Sequence, residues 1–186
     1  MRGPFRIEAY AIASGDGMIA DETGFMPKSL TLEADQRFFM QALDRAGVVA
    51  HGRLSQEDQP NSPKRSRLIL TRKVAGLAPD PDNANTKLWN PAGASLEEAC
   101  SSVGCLSGTV AVLGGPDIYC YFLGVGYDCF YLNRAPELKL PGGVPVFGRG
   151  RLGKTPEQVL SAAGLEPDPV QWLDDNVTLV EWTRRR

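Results

Sequence analysis

Segments with strand character alternate with segments of helical periodicity along most of the chain, and this alternation is the strongest constraint on its fold. Runs rich in β-branched and aromatic residues predict strands, and apolar residues spaced three and four apart predict helices. The predicted strands are Phe5–Ala13, 47–51, Arg67–Thr71, 109–113, 128–134 and Val177–Trp182. The predicted helices are Leu30–Gly47, Ser95–Val103, a segment that begins at Pro116, and Thr155–Gly164. This order favours an α/β fold with a central, mostly parallel mixed sheet flanked by helices.

Polar residues and glycines predict where these helices begin and end. Thr31 is placed to cap the first helix, and Gly47 is placed to end it. Ser95 and Glu98 have the spacing of a capping box, and Thr155 is placed to cap the last helix.

Bulk composition narrows the class of protein. The chain has 186 residues, 42% of them hydrophobic, which predicts a single domain spanning residues 1–186. The net charge of −2 provides no overall attraction for nucleic acid. No apolar run approaches the roughly 20 residues of a membrane helix. We therefore expect a cytoplasmic protein that binds neither nucleic acid nor membrane, and we leave a homodimer open.

Cysteines and histidine predict no metal site. The four cysteines form no CxxC pair, so we expect buried free thiols. His51 is the only histidine and ends an apolar run, which favours a structural role. A single histidine makes hydrolytic triads and histidine-based metal sites hard to build. Any chemistry is therefore expected to use a carboxylate or a cofactor.

Two adjacent glycines, Gly114 and Gly115, separate a predicted strand from the helix that begins at Pro116. One interpretation is a tight strand–helix turn that only serves packing. The other is a ligand site, because the helix start offers free N–H groups and glycine lets a ligand approach the backbone. Pro116 suits this place, since the first N–H of a helix has no intrahelical partner. The segment alone leaves both interpretations open.

Two further strand ends carry groups suited to anions. After the strand that ends at His51, Arg53 and Ser55 stand at an expected helix start in the segment Gly52–Asp58. After the next strand, Thr71 is followed by two cations, Arg72 and Lys73. Each group alone is compatible with an ordinary solvated strand end. Together with the glycine pair they indicate a dinucleotide crevice, in which the Thr71–Lys73 cluster would hold the extra phosphate of NADPH.

The segment Gly148–Gly153 matches the pattern GxGxxG but is not interpreted as a dinucleotide motif. The predicted helix begins at Thr155, after the motif, whereas a dinucleotide-binding glycine motif opens the helix itself.

The order of these segments resembles the dihydrofolate reductase-like superfamily, which includes the reductase domain of the riboflavin-pathway bifunctional deaminase-reductase. The resemblance runs from about Phe5 to Gly148. It lies in the segments AIASGDGMIADETGFMP, EADQRFF, VVAHGR, LILTR, VLGGPDIYCYFL and CFYLNR. The glycine-pair segment is the most specific of these matches, and their order and spacing carry the comparison.

The resemblance implies a set of site residues. The family's carboxylate falls on Asp35, which shares one helix face with Phe39, Ala42 and Ala46. That face leaves two alternatives, an exposed edge or a hydrophobic cleft in which the pKa of Asp35 would rise. The implied residues for NADPH are Gly52, Arg53, Ser55, Thr71, Arg72, Gly114, Gly115, Asp117, Ile118 and Tyr119. Those implied for the substrate are Met26, Lys28, Asp35, Phe39 and Asn133.

Some positions depart from the dihydrofolate reductase pattern. Lys28 stands where those enzymes have an aromatic residue, and it could attract a phosphorylated substrate. Asn133 replaces the threonine that supports the acid, and Arg65 lies near the place of the arginine that binds the folate tail. The segment Leu140–Gly148 is closer to the riboflavin branch, whereas Gly114–Leu123 is closer to the folate branch.

The resemblance thus implies an NADPH-dependent reductase of a small pyrimidine or pterin, with a riboflavin-pathway phosphoribosyl-aminopyrimidine as the first expectation. Dihydrofolate reduction is the alternative. Two alternatives of other classes are a nucleotide-binding module without turnover and a structural domain without cofactor.

Overall fold

The computed structural model describes residues 4–53, 55, 61–151 and 153–185, and within them ten strands form one twisted sheet. The long strands are β1 Phe5–Ser14, β3 Val48–Gly52, β4 Arg67–Leu70, β6 Thr86–Trp89, β7 Gly108–Val112, β8 Cys129–Ala135 and β12 Thr178–Thr183. The short ones are β2 Met18–Ala20, β5 Leu77–Pro79, β9 Val144–Pro145, β10 Glu166–Pro167 and β11 Gln171–Trp172. The sheet order is β10-β12-β8-β1-β7-β3-β4-β6-β5, with β11 also paired to β12. Strands β2 and β9 form a separate antiparallel pair.

The interior of the sheet is parallel and its margins are antiparallel. Strands β8, β1, β7, β3, β4 and β6 run in the same direction, and β12 and β5 run opposite to their neighbours. This confirms the predicted α/β architecture with a mostly parallel mixed sheet.

Four helices cover the two faces of the sheet unequally. They are α1 Glu33–Arg45, α2 Leu96–Ser102, α3 Pro116–Val125 and α4 Pro156–Ala162. Buried side chains of α2, α3 and α4 join one core cluster with alternate residues of β1, such as Ile7 and Ala9. Helix α1 packs on the opposite face, where Ala42 and Leu43 contact Tyr10. Successive strand residues point to opposite faces, so Tyr10 lies on the other face from Ile7 and Ala9. Among the described helices, α1 alone covers that face of the sheet.

The topology reverses next to the central strand. The chain passes outward through β3, β4 and β6, returns to insert β7 between β1 and β3, and then places β8 on the other side of β1. Parallel strands put their carboxyl ends at one edge, and ligands of open α/β sheets bind at that edge where the order reverses. The ends of β1, β3, β7 and β8 therefore define the region in which a site is expected.

The predicted boundaries of the first helix were wrong at both ends. Leu32, in an extended conformation without a side-chain cap, precedes α1, and Thr31 instead closes a 3₁₀ turn over Lys28–Leu30. At the other end Ala46 is the cap, and the close neighbour of Gly47 is Cys105: a Cβ on Gly47 would lie 2.9 Å from the cysteine Sγ. Gly47 is thus required for close packing and does not terminate the helix through a left-handed turn.

Other boundary predictions are confirmed. Ser95 and Glu98 form a complete capping box on α2, and Thr155 forms another with Gln158 on α4. The helix expected to start within Gly52–Asp58 falls largely on Leu54 and residues 56–60, which lie outside the described residues.

All four cysteines are free, three of them buried and Cys120 partly buried.

Candidate active site

A buried carboxyl group stands at the carboxyl edge of the sheet. Asp35 lies in the first turn of α1 and is 6% exposed. Asn133 on β8, itself 2% exposed, donates a 2.6 Å hydrogen bond from its side-chain amide to Asp35 Oδ1. Asn133 pairs in register with Ile12 of β1, so the carboxyl group lies over the ends of β1 and β8. Of the two placements that the sequence left open, the structure shows the buried one.

Burial controls the protonation of this group. Desolvation raises the pKa of Asp35 to about 6, and the hydrogen bond from Asn133 opposes part of that rise. Burial penalises the charged carboxylate, whereas a donated hydrogen bond stabilises it. The group can therefore exchange a proton close to neutral pH, which suits acid–base work or binding of a ring nitrogen.

Aromatic side chains form the apolar surroundings of α1. Phe39, one turn after Asp35, is partly buried, and its ring meets Tyr10 edge-on with centroids 6.4 Å apart. Phe38, which the sequence did not single out, packs against Tyr10 and Tyr131. The predicted helix face is confirmed, since Ala42 is buried and Ala46 is partly buried beside it.

The glycine pair lies directly after β7, at the same edge. Gly114 is buried with φ +88°, and its peptide bond to Gly115 is cis. A Cβ on Gly114 would lie 2.8 Å from two ring carbons of Tyr119, so a side chain does not fit. Packing by itself thus requires the first glycine.

Gly115 differs from its neighbour. Its φ of −74° is ordinary, and among the described residues a Cβ there would meet only Ser55 Oγ, at 3.8 Å. Packing against the described residues therefore does not require the second glycine. Those residues leave room for a ligand to approach the start of α3 at this position.

Gly52 completes this corner. Its N–H donates to the carbonyl of Gly114 at 2.8 Å, and a Cβ would lie 3.3 Å from Ile118 Cγ1. The N–H of Ser55 donates to the Gly52 carbonyl at 3.0 Å, so the turn after β3 stands against the start of α3. Four of the residues expected to bind a cofactor are thus in one place, namely Gly52, Ser55, Gly115 and Ile118. They form a cradle that the phosphate-bearing part of a dinucleotide would fit.

Tyr119 lies behind this cradle. It is 3% exposed, and its hydroxyl donates a 2.6 Å hydrogen bond to the backbone carbonyl of Tyr10. Burial and, to a smaller extent, the charge of Asp35 raise the pKa of Tyr119. The ring therefore connects the glycine pair to the central strand near Asp35, and its position indicates a positioning role instead of the direct cofactor contact expected from the sequence. Asp117, in the first turn of α3, is exposed.

The expected phosphate cluster is assembled by strand register. Gly52 of β3 pairs with Leu70 of β4, so the residues that follow them, Arg53 and Thr71, leave the sheet side by side. Arg53, Arg72 and Lys73 are exposed, and the hydroxyl oxygen of Thr71 accepts a hydrogen bond from the Lys73 N–H. The cations are available at the surface next to the cradle.

The loop expected to cover the site has one anchored part and one exposed part. Gly15 donates to the Leu138 carbonyl at 2.7 Å, and β2 pairs with β9. Met26 and Lys28 are exposed, whereas Leu30 is completely buried against Ile12 and Ala135. The structure therefore leaves Met26 and Lys28 at the surface and does not bring them against Asp35.

His51 has the structural placement expected from its position. It is 4% exposed, and its Nδ1 lies 2.9 Å from the Gly52 carbonyl. Burial lowers the pKa of its imidazole, so the ring is neutral at pH 7. It supports the turn that carries Gly52.

Comparison with known proteins shows which solved structures this architecture resembles. No protein-family model and no curated protein sequence matches the chain. A putative riboflavin biosynthesis protein from Shewanella sp. PV-4 superimposes with a TM-score of 0.65 at 18% identity, over 97% of this chain and 99% of that one. Enterococcus faecalis dihydrofolate reductase, in complex with NADP(H) and RAB-propyl, superimposes with a TM-score of 0.65 at 17% identity over the full length of both chains. The chain has the dihydrofolate reductase-like fold.

A third match shows how the dihydrofolate reductase-like fold is used within a longer protein. The Thermotoga maritima diaminohydroxyphosphoribosylaminopyrimidine deaminase/5-amino-6-(5-phosphoribosylamino)uracil reductase superimposes with a TM-score of 0.61 at 19% identity. The alignment covers 97% of this chain but 56% of that one. These matches confirm at the level of the fold the resemblance identified from the sequence.

Membrane-spanning helices and metal-binding clusters are both absent from the part of the chain that the structure describes. None of the helices in the described ranges is long and apolar enough to cross a membrane. Nor do the described residues contain a group of three or more histidine, cysteine, aspartate or glutamate side chains that could hold a metal ion.

Proposed function

We propose that the chain is an NADPH-dependent reductase that transfers a hydride to a substrate of the pyrimidine or pterin type. The observation that supports this most strongly is the buried Asp35–Asn133 pair at the sheet edge that also carries Gly114 and Gly115. A carboxyl group that titrates near neutral pH beside a cradle for a dinucleotide is the combination such a reaction requires.

The residues divide between cofactor and substrate. Gly52, Ser55, Gly115 and Ile118 would hold the diphosphate part of NADPH, and Arg53, Thr71 and Arg72 would hold its extra phosphate. The bound nicotinamide would supply the hydride. Asp35 would bind the heterocycle through a ring nitrogen and help to protonate it, and Phe39 would contribute an apolar wall. Orientation of the two ligands is the main contribution of the protein.

A riboflavin-pathway phosphoribosyl-aminopyrimidine is our first choice of substrate. One of the similar solved structures is a putative riboflavin biosynthesis protein, and another is a 5-amino-6-(5-phosphoribosylamino)uracil reductase joined to a deaminase. Lys28 is exposed just after the loop expected to cover the site and can attract a phosphate. In addition, Arg65, which stands near the place of the folate-binding arginine, donates a 2.6 Å hydrogen bond to Asp44 and is mostly buried. The guanidinium of Arg65 is therefore already paired with a carboxylate of the chain itself, that of Asp44.

Dihydrofolate reduction is the second candidate, favoured by the match to the Enterococcus faecalis enzyme over the full length of both chains. The test is oxidation of NADPH, followed at about 340 nm where the reduced nicotinamide absorbs, with dihydrofolate and with 5-amino-6-(5-phosphoribosylamino)uracil in parallel. We expect turnover with the pyrimidine. Turnover with dihydrofolate alone would assign the second candidate.

A non-catalytic NADPH-binding module is the alternative from another class. Tight NADPH binding without oxidation by either substrate would favour it. Absence of NADPH binding would contradict both the reductase and the module.

A further inference from the structure

A basic cavity lies beside the start of α3, outside the cradle described above. It has a volume of about 450 Å³ and is lined by the first turns of α3 and by a glycine-rich segment, of which Gly148–Arg151 and Lys154 are described lining residues. The helix contributes Asp117 and Cys120, and the segment contributes Arg149, Arg151 and Lys154. The glycine-rich segment that does not open a helix thus becomes one wall of a cavity at the beginning of another helix.

Close packing joins the two walls. Gly148 has φ +74°, and a Cβ on it would lie 3.4 Å from the Cβ of Pro116. Cys120 Sγ donates a hydrogen bond of 3.2 Å to the carbonyl of Phe147, the residue before this glycine. The basic segment is therefore fixed against the end of α3 that carries the positive pole of the helix dipole.

The charges of the cavity are unbalanced. Among the described lining residues three cations face one carboxylate, that of Asp117. The guanidinium of Arg149 donates a 3.2 Å hydrogen bond to the carbonyl of Gly142, which fixes its position, and it makes no ion pair within the described part of the chain. Arg151 and Lys154 make no ion pair with any residue in the described ranges. Like charges held together repel, so a bound anion would lower the electrostatic energy of this cavity.

The geometry points to a second anion site: we propose that this cavity binds a phosphate or diphosphate group. It is distinct from the cluster of Arg53, Thr71, Arg72 and Lys73, which follows β3 and β4. The cavity is built by α3 and the segment before α4. Arginine and lysine with a helix N-terminus are groups that bind phosphate oxygens through charge-assisted hydrogen bonds.

Direct titration tests the site. Isothermal titration calorimetry would measure the affinity of the full chain for inorganic pyrophosphate at low ionic strength. The double variant Arg151→Gln/Lys154→Gln should weaken binding at least about tenfold, since it removes two charge-assisted contacts. Asp117→Asn removes the opposing charge and should strengthen binding several-fold. The charge-matched control Arg37→Gln/Lys64→Gln changes two exposed cations outside the cavity and should bind as the unmodified chain does.

Three results would overturn the proposal. They are unchanged affinity in the Arg151/Lys154 variant, an equal loss in the control, and weaker binding after Asp117→Asn. Circular dichroism and the thermal midpoint would verify that each variant is folded. Because the Asp117 variant is expected to change affinity in the opposite direction, a general loss of structure cannot imitate the predicted pattern.

The source of the phosphate can be separated in the same variants, and this part rests on the proposed function. If the group is the diphosphate of a dinucleotide, the double variant should weaken NADPH and NADH equally, and pyrophosphate should compete with both. If it belongs to the other substrate, NADPH affinity should not change, and pyrophosphate should still bind to the NADPH-saturated protein. Failure of NADPH to bind at all would contradict the proposed reductase function, but it would not affect the conclusion drawn from pyrophosphate binding.

Discussion

Asn133 and Asp35 are 98 positions apart in the chain and are joined by a 2.6 Å hydrogen bond in the interior. The amide stabilises the ionised carboxyl group, and burial destabilises it. Burial has the larger effect, so the pKa of Asp35 rises to about 6 and not further. This pair therefore determines over which pH range the site can give or take a proton.

Replacing Asp35 by asparagine should abolish most turnover without weakening NADPH binding. The substitution keeps the shape of the side chain but removes the ionisable group, and general acid–base catalysis commonly contributes about 10²–10⁴-fold. Measuring kcat and KM separately would distinguish lost chemistry from weaker substrate binding. Full activity of Asp35→Asn between about pH 5 and 8 would place the reacting centre elsewhere.

Replacing Asn133 should shift the pH dependence of the reaction. Asn133→Leu removes the hydrogen bond that lowers the pKa of Asp35, so the pKa should rise above about 6. The corresponding limb of the kcat/KM profile should then move to higher pH. Asn133→Thr keeps a hydroxyl donor and should move it less. Identical profiles for the two variants would show that Asn133 does not control the protonation of Asp35.

Stability should depend on pH through the same carboxyl group. Its pKa in the folded protein, about 6, lies above the ordinary value of 3.8. The folded state therefore prefers the protonated form, and stability is lost as the pH rises from 3.8 through about 6. At about 1.4 kcal/mol per pKa unit, the full loss is on the order of 3 kcal/mol. Urea unfolding at pH 4 and pH 7.5 should show that Asp35→Asn gains stability relative to the unmodified chain at the higher pH, and an equal difference at both pH values would contradict this.

The two adjacent glycines should respond differently to substitution. Gly114→Ala introduces a side chain at φ +88° and 2.8 Å from the Tyr119 ring, so it should destabilise the fold. A strained backbone conformation of this kind costs about 1–3 kcal/mol. Among the described residues a Cβ at Gly115 meets only Ser55 Oγ, at 3.8 Å, so Gly115→Val should leave the thermal midpoint nearly unchanged while it abolishes NADPH binding. Normal NADPH affinity in Gly115→Val would mean that the pair serves packing alone.

The exposed cation Arg72 should determine cofactor preference. Charge-assisted hydrogen bonds contribute about 1.5–3 kcal/mol, so Arg72→Ala should reduce the preference for NADPH over NADH by roughly tenfold or more. Fluorescence titration with both nucleotides measures this preference. The control Arg37→Gln should leave this preference unchanged. Equal affinities for NADPH and NADH in the unmodified chain would contradict the assignment of Arg72 to the extra phosphate.

The sequence was sufficient for the features that depend on local pattern. Alternating periodicity predicted the individual strands and helices, and the spacing of Ser95 and Glu98 predicted a capping box, because these features arise from neighbours within a few residues. Partners distant in sequence were not predictable. The requirement for Gly47 comes from Cys105, and the requirement for Gly114 comes from the ring of Tyr119.

The candidate site shows the same division. The resemblance located Asp35 and Asn133, but their hydrogen bond and their burial result from the packing of α1 against β8. The short strands β2, β9, β10 and β11 carry too few residues for a periodic signal. They are defined by pairing with partners distant in sequence, β2 with β9, and β10 and β11 with β12. The GxGxxG pattern was correctly separated from a helix start, yet nothing in its spacing indicated that it would lie against α3.

The loop after β1 is attached at two points, and this has a consequence for the evolution of the protein. Its first part is held by β9 and by hydrogen bonds from Leu140 N–H to Asp16, and Leu30 fixes its far end in the interior. Between these attachments Phe25 is 75% exposed and Met26 is 45% exposed. Substitutions in residues 22–26 remove little buried area and so have little thermodynamic cost. This arc can therefore diverge rapidly among descendants while the scaffold beneath it is preserved.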